Sequence, residues 1–346
     1  MRRLIVVLIM VLAAGCAVAD SVTTSSIAAP TTAHSTVSTT EATSTPTTGG
    51  APSTTIVSAL LPMAAQEVVA SDDGIFLTTE SGTVQLWDQP TAIAFMLGDD
   101  LVVAQESTPS SVYPRPADGP IRVFDSDGVR SLPQDDENLH LLDAGVADGR
   151  RVAVVTSRTG STPEDTDERL LLVDLQNDER IDLGSVGGWE SGVTQGILSD
   201  GLVTLVWLNE GGTDLITQSL SGDVVWVLPV STDSLLTVSR RGDELVLLQT
   251  GAIEPDHTPT LTLSRHQLAD GDSLGSSTLT LHLADGVHIE GGYCFHGEWL
   301  GDDLVCDQTY GGPLLIDISD GTTTYLGAFE SGVVTVPRSR PNVEGE

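Results

Sequence analysis

The sequence predicts an all-β domain built from one antiparallel unit repeated along the chain, and three observations carry that expectation. Between about Ile56 and Val336 the apolar residues fall in short β-rich runs, and no long stretch has a helical period. The runs are LVVA from Leu101, VAVV from Val152, LVTLVW from Leu202, LVLL from Leu245 and LVC from Leu304. Each follows a tight turn: Gly98-Asp99-Asp100, Ala147-Asp148-Gly149, Ser199-Asp200-Gly201, Arg241-Gly242-Asp243 and Gly301-Asp302-Asp303. Gly and Asp tolerate the positive φ that short hairpins demand. The starting positions 101, 152, 202, 245 and 304 are spaced close to the roughly 40–50 residues of a propeller blade.

A second recurrent strand follows each run: IRVFD from Ile121, LLVD from Leu171, LITQ from Leu215, LTL from Leu261 and LLID from Leu314. An acid/Gly turn and a short third strand come next, as at Asp127-Gly128, Gly222-Asp223 and Asp320-Gly321. The unit reads as an antiparallel blade written five times. IFL from Ile75 with VQLWD from Val84 is a further, truncated copy placed to complete another blade at ring closure. The expected architecture is a β-propeller of six four-stranded blades, with seven as the alternative count. A pair of β-sandwiches could use the same strands, but a blade-sized repeat has no reason to exist there.

The segments IRVFDSDG (121–128), LLLVDLQNDE (170–179) and LLIDISDG (314–321) carry a resemblance. They are similar to the bacterial TolB-type and WD-like β-propeller repeats, in which an apolar strand ends in Asp ahead of a Gly turn. The resemblance covers about residues 70 to 336 and implies a radial all-β fold without any particular activity. The usual tryptophan and lysine signatures are absent, and LITQ lacks the terminal Asp.

Ahead of the repeats lies an export signal. Arg2 and Arg3 precede the apolar run Leu4 to Leu12, and Ala13-Ala14-Gly15 leads into Cys16. The run is too short for the ~20 residues of a membrane helix. It resembles the bacterial lipobox, which implies that Cys16 is acylated and becomes the first mature residue of a lipoprotein. Cleavage at the A-x-A site Ala17-Val18-Ala19 would instead release a secreted chain beginning at Asp20. The stretch that follows is rich in Ser, Thr, Ala and Pro and holds too little apolar surface to order itself. The expected organisation is therefore a signal peptide over 1–15, lipidated Cys16 and a disordered linker over 16–57, the propeller over 58–336, and a flexible tail over 337–346.

The chain carries 15 Lys+Arg against 49 Asp+Glu, a net charge of −34, and every one of the 15 is Arg. Such a surface repels nucleic acid and favours solubility at high salt, divalent cations and cationic partners. With Cys16 acylated, Cys294 and Cys306 form an even pair in an oxidising compartment. They lie in the strand-like segments GYCFHGEW and DDLVCDQ. A bridge would close a short loop worth about 3 kcal/mol, yet a perfectly registered hairpin does not set these two residues opposite each other. The other reading is two buried free thiols.

Candidate chemistry is sparse. His288 with Glu290, and His296 with Glu298, stand two apart in strand-like text, so each pair shares a face and can point into a propeller channel as a metal or acid/base site. Asp125 and Asp127 open a D-x-D-G calcium-loop pattern that lacks the Glu at its twelfth position. Trp189 and Trp299 border Gly-rich turns and are candidate stacking platforms for a sugar or peptide. There is no G-x-S-x-G elbow, no H-E-x-x-H and no Gly-rich phosphate loop, so no catalytic residue is named.

The expectation is a monomeric, non-enzymatic lipoprotein on the outer face of the cytoplasmic membrane. It needs no cofactor, and its propeller binds an envelope protein, a peptide or a glycan. The long connections Ser107 to Pro120, Gly160 to Arg169 and Gly251 to Thr260 are where such a fold carries function. The alternative is a metal-dependent, calcium-type hydrolase or lyase with its site in the channel.

Overall fold

The computed structural model of the chain describes residues 61, 63–108, 118–134, 138–160, 167–187, 192–209, 212–230, 236–251, 258–310, 312–326 and 332–338. The described residues form six antiparallel sheets in a ring. Blade 1 begins with β1 (Glu67–Ser71), β2 (Gly74–Thr79) and β3 (Gly82–Trp87). Blade 2 holds β4 (Thr91–Leu97), β5 (Leu101–Glu106), β6 (Ile121–Asp125) and β7 (Gly128–Ser131). Blade 3 holds β8 (Asn138–Ala147), β9 (Arg150–Thr159), β10 (Asp167–Asp174) and β11 (Arg180–Gly187). Blade 4 holds β12 (Gly192–Ser199), β13 (Leu202–Asn209), β14 (Gly212–Ser219) and β15 (Val224–Val230). Blade 5 holds β16 (Leu236–Arg241), β17 (Glu244–Thr250), β18 (Thr260–Gln267) and β19 (Ser273–Thr280). After β20 (His282–Leu283), blade 6 holds β21 (Glu290–Leu300), β22 (Asp303–Tyr310), β23 (Leu314–Ile316) and β24 (Thr322–Tyr325). The short β20 pairs parallel to β24 and covers the outer edge of that blade. The last strand, β25 (Val333–Thr335), returns to blade 1 and pairs with β1, closing the ring.

The count is thus six blades, and the alternative of seven is corrected. The truncated copy at Ile75 is the outer part of a blade whose innermost strand comes from the other end of the chain. The innermost strands β25, β4, β8, β12, β16 and β21 each contact the next around a central channel. The core is divided in the same way, into six apolar clusters, one between each pair of neighbouring blades. The cluster at the seam of blades 6 and 1 is the smallest, with only Val69, Val305 and Val334 fully buried.

The tight turns behave as their residues require. Asp148-Gly149 and Asp200-Gly201 both take positive φ, at 49° and 74° and at 46° and 77°. This is the conformation whose twist matches the flanking strands. All turns between the first and second strands of a blade, and between its third and fourth, lie on one face of the ring. The connections between second and third strands, long in blades 2, 3 and 5, and those between blades lie on the other. The ends of the 107–120, 160–169 and 251–260 connections therefore share a face, while most of their residues lie outside the described set. The chain enters on the turn face, where Leu61 is buried and the Met63 N–H donates to Asp99 O in the β4–β5 turn. It leaves there too. The last described residue is Arg338. The Arg338 N–H donates to Met96 O, and its carbonyl accepts from the Gly98 N–H.

An innermost strand has one edge with no strand beside it, and its buried backbone groups need partners. Side chains of the preceding blade supply them in an unbroken circuit. Gln105 of β5 donates to Leu139 O at 2.6 Å and accepts from the Leu141 N–H at 2.7 Å. Asp143 of β8 accepts from the Leu198 N–H at 2.7 Å, and Gln195 of β12 accepts from the Val238 N–H at 3.0 Å. From β16, Thr237 donates to Cys294 O and Ser239 to Gly297 O. Asp307 of β22 accepts from the Val334 N–H at 3.3 Å, and Thr335 of β25 donates to Ala94 O at 2.6 Å.

Candidate functional site in the axial channel

The site begins with an irregularity. In the β21–β22 hairpin, Gly297 pairs with Cys306 but Tyr293 pairs with Gln308, so β21 carries extra residues between 293 and 297. The bulge puts Cys294 at φ 66° and lets it bond to Cys306, which a regular register does not allow. The bridge reading of the two cysteines holds. The bulged backbone is tied down by its neighbours: Cys294 O, Phe295 O and Gly297 O accept from Thr237, Gln195 and Ser239. Held this way, the strand projects His296 and Glu298 into the channel.

There they meet Arg338. Its Nη2 lies 3.0 Å from Glu298 Oε1 and 3.0 Å from Asp143 Oδ1, and its guanidinium stands 5.6 Å from the Phe95 ring centre. His296 Nε2 is 3.4 Å from the same Glu298 oxygen and has no hydrogen-bond partner in well-aligned geometry. The ring keeps about 24% of its side-chain surface open to the channel, although Nε2 itself is sealed. Behind it, Asp307 is 1% exposed and its Oδ2 has no partner.

Burial dominates the protonation of these groups and their mutual contacts redirect it. Desolvation pushes Asp307 up to about 8, so its neutral form prevails at pH 7. Desolvation would raise Glu298 as well, but Arg338 and His296 hold it below the ordinary carboxylate range. Burial would depress the His296 imidazole, and Glu298 beside it reverses the sign and raises it. Asp143 is raised by burial against the pull of Arg338 and of the Leu198 and Ala144 N–H groups. Three donors aimed at its two oxygens favour the carboxylate.

Between this cluster and the face of the long connections the channel widens into a cavity of about 540 Å³. Its walls are mostly apolar, with Ile93, Phe95, Leu141, Val206, Leu208 and Val238 prominent. Thr194, Thr213 and Gln195 add polar groups, and Arg338, Glu298 and His296 form the floor. The volume falls within the range of small-ligand pockets.

The residues singled out in the sequence part company here. His296 and Glu298 lie in the channel, whereas His288 is exposed and its backbone exchanges hydrogen bonds with the Tyr325 hydroxyl at the periphery. His288 does not join His296 and Glu298, because it lies in the connection ahead of β21; the Glu290 side chain lies outside the described set. Asp125 caps its own turn, accepting from the Asp127 and Gly128 N–H groups on the turn face, far from the cavity. Trp299 is no open platform: it packs on the blade 5–6 core and Arg241 covers it at 4.7 Å. Trp189 and Cys16 lie outside the described residues. Among the described residues no three His, Cys, Asp or Glu side chains gather in an arrangement that could hold a metal ion. Asp143, Gln195 and Arg338 were not among the candidates. For Asp143 the available signal was one acid inside the apolar run LHLLDAGVA.

No protein-family model matches the chain, and no curated protein does. Solved structures do. A chain of a nidogen/laminin complex is 13% identical, with 80% of this chain and 100% of that one covered at a TM-score of 0.49. An oligogalacturonate lyase in complex with manganese is 13% identical, with coverage of 74% and 73% and a TM-score of 0.44. TolB from Acinetobacter baumannii is 16% identical, with coverage of 59% and 51% and a TM-score of 0.40. At such identities the likeness is one of shape, and the fold rests on the sheet order itself.

Proposed function

We propose that this six-bladed propeller is an exported binding protein, acylated at Cys16 and tethered outside the cytoplasmic membrane. It presents the long-connection face to an envelope protein, a peptide or a glycan. The observation that carries the reading is the axial cavity of about 540 Å³ opening toward that face. The arrangement of charge supports binding over catalysis. Arg338 is spent on Asp143 and Glu298, and Asp143 and Asp307 are also hydrogen-bonded to the inner strands. A metal-dependent hydrolase or lyase has the His296–Glu298 pair in its favour and lacks a third ligand among the described residues. The acyl anchor is tested by intact mass of the purified protein, where an unmodified chain beginning at Asp20 would refute it. Binding is tested by a thermal-shift screen of peptides and oligosaccharides against the parent and against Ala92→Phe, which fills the cavity. A ligand that stabilises only the parent supports the reading. Turnover of a screened compound that is lost in Ala92→Phe would replace binding with catalysis.

A further inference from the structure

The cavity floor is built around an ionised carboxylate, Glu298. Arg338 is the cation in contact with two carboxylates, Asp143 and Glu298. Arg240, also at the wall, directs its Nε to Gly242 O and its Nη2 toward Asp200 at 3.6 Å. Asp307, behind His296, is neutral at pH 7 and contributes no charge. Glu298 is the carboxylate held ionised there, and His296, 3.4 Å from the oxygen that Arg338 also contacts, is the group placed to add a proton beside it. The walls above this point are apolar. A net charge of −34 also concentrates cations at any concave mouth.

We propose that the cavity takes ligands carrying a primary ammonium on an apolar body, with the ammonium at Glu298 in place of the His296 proton. The proposal rests on the reading of the cavity as a binding site and names its ligand chemistry. Two sources share that chemistry: a small amphiphilic amine, and the amino end of a peptide that begins with an apolar residue. An anion is disfavoured because both neighbours of Arg338 are carboxylates.

Calorimetric titration of the full chain at pH 7 with 2-phenylethylammonium, 2-phenylethanol and 3-phenylpropanoate tests it. The ammonium is expected to bind at least about tenfold more tightly than the alcohol, as one charge-assisted hydrogen bond provides. Its affinity is expected to fall as the pH drops and His296 competes. Glu298→Gln should abolish the preference, and His296→Gln should keep it without the pH dependence; a thermal melt of each variant verifies folding. Ala92→Phe should weaken every probe that binds. A dipeptide amide with leucine at a free amino end, set against its N-acetyl form, separates the two sources: binding of the free form alone assigns the peptide, and binding of phenylethylammonium without it assigns the small amine. If the alcohol or the carboxylate binds as tightly as the ammonium, the ammonium assignment is overturned while the cavity stands as a site. If no probe binds at millimolar concentration, both fall.

Discussion

Asp307 is buried with one oxygen on the Val334 N–H and the other without a partner, a setting that favours the neutral acid. Its pKa is about 8 in the fold against the ordinary 3.8, so the folded state binds this proton more tightly than the unfolded one. The resulting stability is complete below about pH 4 and is lost as the pH rises toward about 8. Asp307→Asn keeps an acceptor for Val334 and removes that loss. Melts of the two proteins between those limits should diverge, with the variant gaining on the parent as the pH rises. A parallel pair of curves would refute the shift. Arg338 poses the opposite case. Arg338→Met leaves Glu298 and Asp143 buried without their cation and should cost ~3–5 kcal/mol in denaturant unfolding. Combining it with Glu298→Gln should recover a good part of that. His296 and Glu298 were legible as a pair because residues two apart share a strand face. Gln195 and Arg338 were not, since a residue's place on the axis depends on which strand is innermost, and that is decided by all six blades together.

At the scale of the element, the strands that could be read are those flanked by tight turns. The second, third and fourth strands of each blade carry the recurring apolar run, Asp and Gly. The innermost strands, such as GVTQGILS of β12 and EGGYCFHGEWL of β21, share no pattern. Each faces a different stretch of the axis and supplies different contacts to its neighbour, so they diverge where the rest of the unit repeats. The bulge of β21 has the same origin: nothing in GYCFHGEW announces extra residues, yet they reconcile the Cys294–Cys306 bridge with the hairpin. The double variant Cys294→Ser/Cys306→Ser should lose about 3 kcal/mol in denaturant unfolding. Because the bulge also carries His296 and Glu298, ligand affinity should fall along with stability. Unchanged affinity would show that Thr237, Gln195 and Ser239 alone hold it in place.

Over the whole molecule the ring is only as strong as its seam. Five blade interfaces are packed by larger apolar clusters, and the sixth rests on Val69, Val305 and Val334, with Phe76, Leu300, Leu315 and Leu326 half-buried against them, and on the Asp307 hydrogen bond. Truncation after Gly332 removes β25 and Arg338 together. The truncated chain is expected to show no cooperative melt by circular dichroism, and a synthetic 333–346 peptide added in trans should restore one. A cooperative melt without the peptide would mean that the seam contributes little.

Both ends of the described chain, Leu61 and Arg338, lie on the turn face, while the cavity opens on the other. Whatever grips the amino end therefore pulls on the closed side of the disc. On the anchoring proposed above, the hairpin tips would face the point of attachment and the mouth of the cavity would face away from it, open to solutes from the surroundings.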